Sequence, residues 1–240
     1  MRSTEQERAT LAEQISRDRK RRDRDGVGPL IDLIASPEAR RALEPLAKRL
    51  LDGYNGVFSV CSASPGDGKT FISATLALLL AENSGRRVLL ADAHTDRPAV
   101  HRLFGIAASP GFLECVRGRS RLRDVVSVVG KMNALPAGRD DGSFSPLAEG
   151  AAHRLIREMR QTFDFTLIDL PPLTGTNKGA AAFCNECDAT IWVVRADATS
   201  ARTVSQAVLS IDADRLLGVV LNQEQPELPS WLRRVLPEDA

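Results

Sequence analysis

The segment SASPGDGKT, at residues 62–70, constrains the fold more than any other part of the sequence. An apolar run, VFSVC, precedes it, and an apolar helical pattern, FISATLALLL, follows it. Gly66 and Gly68 allow successive backbone N–H groups to turn toward one anion, which the N-terminus of the following helix also attracts. Lys69 adds a positive charge, and the hydroxyl of Thr70 can bind Mg²⁺. The segment therefore predicts a phosphate-binding loop (P-loop) between a buried strand and a helix.

A tight strand-to-helix turn that carries a surface lysine is the alternative for this segment. Ala63, a small residue, stands where the strict P-loop pattern has its first glycine. The preceding strand, the two later glycines, the Lys-Thr pair and the following helix all agree with the pattern. Their agreement favours the P-loop.

The rest of the chain alternates short β-branched runs with helical patterns, which is typical of a parallel sheet covered by helices. Strands are predicted near residues 57–62, 87–92, 132–135, 165–169, 189–194 and 216–221. Helices are predicted near residues 37–52, 69–83, 146–162, 177–186, 200–210 and 230–236, with one or two short helices between 111 and 130. The pattern predicts an α/β fold, a doubly wound and mostly parallel sheet of the P-loop NTPase type, with a helical N-terminal extension.

Charge and hydropathy exclude several classes of partner. The net charge of +1 creates no field that would favour nucleic acid. No apolar run approaches the roughly 20 residues that span a bilayer, and the N-terminus has no apolar signal core. The first 26 residues mix acidic and basic side chains with almost nothing apolar, which is typical of a frayed arm. The sequence predicts a cytoplasmic protein.

Two of the four cysteines, Cys184 and Cys187, form the pair CNEC. A zinc or cluster site needs about four ligands, and the remaining candidates are two scattered cysteines and three histidines. Two such pairs could meet across a dimer axis. Small buried thiols one helical turn apart are the favoured interpretation.

Two carboxylates are predicted at the same edge of the sheet as the P-loop. Asp92 ends the strand in RVLLAD, and Asp169 ends the strand in FTLID. The carboxyl ends of parallel strands share one edge, where ligands bind. Either residue alone could equally well cap a strand end, but the pair beside a P-loop favours a Mg²⁺ site.

At this level the chain resembles the cytoplasmic bacterial tyrosine kinases of polysaccharide export, a branch of the ParA/MinD-type P-loop ATPases. The resemblance runs from about residue 36 to 224 and includes SASPGDGKT, LLADAHTDRP, HRLFGIAASPGFLECVRG, ALPAG, DFTLIDLPP, WVVRADATSARTV and GVVLN. It implies ATP with Mg²⁺, assembly into dimers or rings, and partnership with the cytoplasmic segments of a membrane polysaccharide co-polymerase at the inner membrane. It makes residues 29–240 a kinase-like ATP-binding domain that follows a charged, flexible arm at residues 1–28.

The resemblance also implies roles for individual residues. Lys69, Asp92 and Asp169 are expected in catalysis, and Thr70 is expected to bind Mg²⁺ together with Asp92 and Asp169. Asn222 is expected at the adenine edge, although a strand-end turn is an equal alternative for it. The residues expected to contact the nucleotide are Ser64, Pro65, Gly66, Asp67, Gly68, Lys69, Thr70, Phe71 and Asn222.

The second aspartate motif departs from the family pattern. The family has Asp-x-Asp-x-Arg, whereas this chain has DAHTD, so that His94 replaces the second Asp and Asp96 replaces the Arg. A neutral imidazole can accept a proton, but it is a poor ligand for Mg²⁺.

The phosphate acceptor and the assembly motif also differ from the family pattern. Family kinases have a tyrosine-rich C-terminal tail, whereas this sequence ends PELPSWLRRVLPEDA and contains one tyrosine, Tyr54, interpreted as a packing residue. The family's Glu-x-x-Arg-x-x-Arg motif is matched by Glu38 and Arg41, but Glu44 stands in the place of the second Arg. Ring assembly is therefore left open.

The sequence predicts an ATP- and Mg²⁺-binding protein of capsule or exopolysaccharide export with weak or lost autokinase activity. It could be an active kinase or slow ATPase, or a non-catalytic module whose ATP-bound form docks on the co-polymerase. A ParA/MinD-type positioning or partitioning ATPase is the alternative. That class has a signature lysine where this chain has Ser64, and the short amphipathic segment SWLRRVL is below what membrane anchoring needs.

Overall fold

The computed structural model describes residues 34–139, 151–173, 178–196 and 198–223. A seven-stranded sheet with the order β3-β4-β2-β5-β1-β6-β7 forms its centre. The strands are β1 (Gly56–Ser62), β2 (Val88–Asp92), β3 (Ser127–Val129), β4 (Met132–Leu135), β5 (Phe165–Asp169), β6 (Ala189–Arg195) and β7 (Leu216–Asn222). All pairings are parallel except that of β3 with β4. The predicted doubly wound, mostly parallel α/β sheet is confirmed.

Helices cover both faces of this sheet. They are α1 (Pro37–Gly53), α2 (Lys69–Ser84), α3 (Val100–Phe104), α4 (Phe112–Val116), α5 (Leu122–Val125), α6 (Ala151–Thr162), α7 (Lys178–Glu186) and α8 (Ala201–Val208), with a 3₁₀ turn at Ala213–Arg215. The helical N-terminal extension begins as predicted, since the hydroxyl of Ser36 accepts a hydrogen bond from the Ala39 N–H at 3.2 Å. Pro37 occupies the first turn, where a missing N–H costs nothing.

The period-2 alternation of the buried strand β1 divides the core into two layers. Phe58 and Val60 point to one face, where they pack with α1 and α2, and Val57 and Cys61 point to the other, where α4, α6 and α7 lie. All seven residues of β1 are buried, which a strand in the middle of a helix-covered parallel sheet requires. β1 is therefore held rigidly on both faces at the point where the P-loop follows it.

Strand β3 is the main difference from the sequence prediction. Its three residues lie in the stretch predicted to hold only short helices, and they pair antiparallel with β4, with Ser127 opposite Ala134. Its side chains are half-buried or exposed, so no apolar alternation indicates a strand there. One or two short helices are predicted in the same stretch, and two are present, α4 and α5.

Several predictions fall outside the described residues: the arm at residues 1–28, the start of the helix predicted at 146–162, and the helix predicted at 230–236. Within the described ranges, none of the helices has the length and apolar character to cross a bilayer.

The packing of α1 on the sheet gives a test of the N-terminal extension. Leu50 is fully buried in α1, whereas Leu209, just after α8, is 85% exposed. We expect Leu50→Ala to lower the free energy of unfolding by about 2–5 kcal/mol, because a cavity replaces packed side-chain atoms. The matched change Leu209→Ala should cost no more than about 0.5 kcal/mol. Urea unfolding measures both. Equal losses in the two variants would contradict the assigned packing of α1.

Candidate nucleotide-binding site

The loop between β1 and α2 has the backbone that phosphate binding requires. Gly66 and Gly68 adopt φ angles of +83° and +94°, a region that residues with a Cβ rarely enter. A Cβ on Gly68 would also lie 2.0 Å from Nδ2 of Asn222. Helix α2 begins at Lys69, directly after this glycine, so its first N–H groups face the loop.

The Lys69 side chain is held inside the loop. Only 4% of the residue is exposed, and its Nζ donates a hydrogen bond to Ser62 Oγ at 3.0 Å. Burial lowers the pKa of the ammonium group, while the carboxylates of Asp169 and Asp67 act in the opposite direction. A buried cation whose hydrogen-bond partner is a neutral hydroxyl is well suited to contact an incoming phosphate.

Buried Asp67 fixes the shape of the loop. Its Oδ2 accepts the Ser64 N–H at 3.0 Å, and its Oδ1 accepts the Thr199 hydroxyl at 2.8 Å. Its backbone carbonyl accepts a hydrogen bond from Nδ2 of Asn222 at 2.9 Å. The segment after β6 and the end of β7 therefore hold the P-loop in place. The amide nitrogen of Asn222 binds the loop here, and its contact with adenine stays a prediction.

Asp169 lies beneath the start of α2. Its Oδ2 accepts the Thr70 hydroxyl at 2.5 Å, while its buried Oδ1 has no hydrogen-bond partner. Burial and the nearby Asp92 carboxylate raise the pKa of Asp169 to about 7, against the smaller opposing effects of Thr70 and Lys69. An unpaired carboxylate oxygen beside a hydroxyl is suited to a hard cation.

Asp92 is adjacent to Asp169 across the pairing of β2 with β5. Its two oxygens accept the backbone N–H groups of His94 at 3.0 Å, Ala99 at 2.8 Å and Val100 at 3.0 Å. Burial raises its pKa to about 6, although these hydrogen bonds oppose the rise. Asp92 therefore orders the turn after β2 and the start of α3, which is the capping role that the sequence left open beside the metal role.

His94, in place of the second aspartate of the family motif, is held in this turn. Its ring Nδ1 accepts the Arg97 N–H at 3.2 Å, which leaves the proton of the neutral ring on Nε2. Burial and the charge of Lys69 lower its pKa. In this arrangement Nδ1 is engaged with the backbone, and Nε2 is a hydrogen-bond donor.

Three further residues that are predicted to contact the nucleotide differ in their burial. Ser64 is half-buried and Pro65 is exposed at the tip of the loop, whereas Phe71 packs partly against the apolar layer on the α1 side. The structure thus brings the loop, Thr70, both carboxylates and Asn222 to one edge of the sheet, and turns Phe71 toward the core.

Sequence reasoning missed Ser62 and Thr199, which contact Lys69 and Asp67. Thr199 lies 132 residues from its partner in the sequence. The one signal available was its position just after a predicted strand, where polar side chains reach the ligand edge.

The cysteines lie beneath the site as packed thiols. Cys61, Cys184 and Cys187 are buried and free, beside a buried hydrogen bond of 2.8 Å between Ser59 and Thr190. Burial raises the pKa of Cys61 and Cys187 above the usual thiol range. In the described part of the chain, no group of three or more His, Cys, Asp or Glu side chains is placed to hold a metal ion.

The raised pKa of Asp169 gives a test with a defined sign. The group titrates near 3.8 when solvated and near 7 when folded, so the native state binds more protons between these values and loses stability as pH rises. We expect Asp169→Asn to stabilise the ligand-free, EDTA-treated chain at pH 8 by on the order of 2 kcal/mol, and by less at pH 5. Urea unfolding at both pH values measures the difference.

Asp164→Asn is the matched control for this prediction. Hydrogen bonds from Arg87 lower the pKa of Asp164, so its removal should destabilise the chain at pH 8. A stabilisation by Asp169→Asn that does not depend on pH would contradict the buried-charge explanation.

Comparison with known proteins agrees with this geometry. A family model described as the CobQ/CobB/MinD/ParA nucleotide binding domain matches residues 58–234. The succinoglycan biosynthesis transport protein ExoP of Rhizobium meliloti is 33% identical over 175 residues, which cover 70% of this chain and 22% of ExoP. The tyrosine-protein kinase CpsD of Streptococcus agalactiae is 28% identical over 183 residues, which cover 74% of this chain and 78% of CpsD. The chain thus spans about a fifth of ExoP, as it does of the tyrosine-protein kinase ptk of Acinetobacter johnsonii, and most of CpsD.

Solved structures show the same fold. The kinase domain of the Escherichia coli tyrosine kinase Etk matches with a TM-score of 0.70 at 23% identity, over 83% of each chain. MinD of Pyrococcus horikoshii, solved with Mg-ADP, matches with a TM-score of 0.61 at 20% identity, over 75% of this chain and 76% of MinD. The resemblance to bacterial tyrosine kinases is confirmed, and the chain belongs to the CobQ/CobB/MinD/ParA nucleotide binding domain family.

Proposed function

We propose that this chain binds ATP with Mg²⁺ at the P-loop and serves the export of a capsule or exopolysaccharide, with weak or lost autokinase activity. The observation that carries the proposal is the loop itself: a left-handed glycine pair, a buried Lys69 and a helix N-terminus converge on one position. The family is one of nucleotide-binding domains, which supports a nucleotide as the ligand.

The residues present fit a magnesium ion. Thr70 and Asp169 offer hard oxygen ligands, and Oδ1 of Asp169 is buried without a hydrogen-bond partner. Asp92, whose oxygens accept backbone N–H groups, would act through Asp169 or through metal-bound water. Bound Mg²⁺ neutralises charge on the phosphate chain.

The relatives supply the biological setting. ExoP is named as a transport protein of succinoglycan biosynthesis, and CpsD and Etk are named as tyrosine-protein kinases. The resemblance to polysaccharide-export kinases makes the cytoplasmic segments of a membrane co-polymerase the proposed partner. The chain would then act in the cytoplasm and reach the inner membrane through that partner. Self-association of the chain is part of the same proposal.

Two features support weak phosphate transfer. His94 stands where the family motif has a carboxylate, and its Nδ1 is engaged with the Arg97 N–H, so this position offers no carboxylate base to an acceptor hydroxyl. The one tyrosine in the 240 residues, Tyr54, packs edge-on against Phe58 with ring centroids 6.3 Å apart. This contact gives Tyr54 a packing role, although 38% of the residue is exposed.

The positioning-ATPase alternative has less support. At 20% identity, the likeness to MinD shows the fold alone. The loop position of the signature lysine holds the uncharged Ser64, whose N–H binds Asp67. The curated relatives above are kinases and a polysaccharide transport protein.

Removing the loop lysine tests nucleotide binding. We expect Mg-ATP to raise the melting temperature of the wild-type chain and to have no such effect on Lys69→Ala, because the variant lacks the cation that faces the phosphates. Lys48→Ala, at an exposed position of α1, removes the same charge outside the loop and should respond as wild type does. Differential scanning fluorimetry measures all three. Persistent stabilisation of Lys69→Ala by ATP would place the nucleotide elsewhere.

Incubation with γ-labelled ATP and Mg²⁺ tests phosphate transfer. We expect little or no label on the chain itself, because His94 replaces the motif carboxylate and Tyr54 packs against Phe58. We expect ATP-dependent binding to the cytoplasmic segments of a polysaccharide co-polymerase. Tyr54→Phe is the matched variant. Strong labelling that disappears in Tyr54→Phe would contradict the proposed loss of autokinase activity.

A further inference from the structure

Arg195 lies beside the P-loop at the carboxyl end of β6. Strand β6 runs parallel to β1 with Val193 opposite Ser62, so the next residues of β6 pass alongside the loop. Nη1 of Arg195 is 3.9 Å from the position that a Cβ of Gly66 would take. The guanidinium group is therefore adjacent to the glycine whose left-handed backbone opens the loop toward an anion.

The Nε of this guanidinium group lacks a hydrogen-bond partner. This atom is buried, and within the described ranges no salt bridge of Arg195 is formed. Arg195 is half-buried, so its guanidinium group is only partly solvated, and an anion at the loop would supply the acceptor that it lacks.

The nearest loop carboxylate does not fill this need. Asp67 is fully buried, and its two oxygens already accept the Ser64 N–H and the Thr199 hydroxyl. Two cationic groups, Lys69 and Arg195, therefore lie at the loop, and the carboxylate of Asp67 is engaged in holding the loop.

We propose that Arg195 is a second cationic ligand of the nucleotide's phosphate chain, on the side of the loop opposite Asp169 and the proposed magnesium ligands. The order of strands supports this placement, since β5 and β6 flank β1 on opposite sides. The planar guanidinium group can donate two parallel hydrogen bonds to two phosphate oxygens, whereas a lysine at this position could not. This inference rests on the proposed nucleotide-binding function and adds a specific contact to it.

The experiment compares Arg195→Gln with the wild-type chain by calorimetric titration with Mg-ATP. We expect the Kd to rise about ten- to a hundredfold, because a charge-assisted hydrogen bond is lost. The melting temperature of the ligand-free chain should be unchanged or higher, since the Nε of Arg195 has no hydrogen bond to lose. Arg195→Met, which keeps the apolar stem, is measured in parallel so that misfolding of one variant leaves the test intact.

Arg86→Gln is the matched control. Arg86 is exposed just before β2, at the edge of the sheet opposite the loop. The substitution Arg86→Gln therefore removes the same charge at a position that does not contact the site. Its Kd for Mg-ATP should equal that of the wild type.

The outcomes separate this inference from the proposed function. Failure of the wild-type chain to bind Mg-ATP would overturn both. Wild-type binding by the two Arg195 variants, with binding lost in Lys69→Ala, would overturn the role of Arg195 alone. A parallel titration with Mg-GTP distinguishes phosphate from base: equal losses for the two nucleotides support a phosphate contact, and a loss confined to ATP overturns it in favour of a base contact.

Discussion

The parallel pairing of β1 with β5 on one side and β6 on the other is the constraint on which the site depends. It fixes Val60 opposite Asp169 and Ser62 opposite Val193, so the ends of three strands meet at one edge. A shift of one residue in either pairing would turn the corresponding side chains to the other face of the sheet. The buried layers on both faces of β1 hold this register, and the P-loop inherits its position from it.

Burial at this edge places several charged groups in a low-dielectric environment. Asp169 and Asp92 are adjacent, both fully buried, and each has a raised pKa, while the pKa of Lys69 is lowered. The low local dielectric that makes these charges unfavourable alone also strengthens their attraction to ions of opposite sign. Phosphate and a divalent cation together would satisfy the ammonium group and the carboxylates in one step, so the arrangement of these charges favours such a pair.

The turn after β2 departs from the family motif at a position expected to serve phosphate transfer, and not at the nucleotide-binding loop. Asp92 accepts three backbone N–H groups and so gives the turn its shape, and His94 within the same turn has its Nδ1 occupied. Replacing a carboxylate by this ring removes a proton acceptor and a possible magnesium ligand from one position, while the loop and Asp169 are unaffected. The residues that hold a nucleotide and those that pass its phosphate onward are thus distinct parts of the site.

The parallel α/β fold, the P-loop and six of the seven strands, to within about two residues, could be predicted from the sequence. These follow from local patterns: apolar runs, helical spacing, and glycines beside a Lys-Thr pair. Strand β3 was not predicted, because its three residues, which are half-buried or exposed, show no such pattern. Tertiary packing establishes that Asn222 and Thr199 hold the loop through Asp67 and that Thr70 contacts Asp169. It also places Arg195 beside Gly66 with its Nε unpaired. These contacts join residues 99 to 155 positions apart or depend on an unfilled hydrogen bond, and neither property leaves a periodic trace in the sequence.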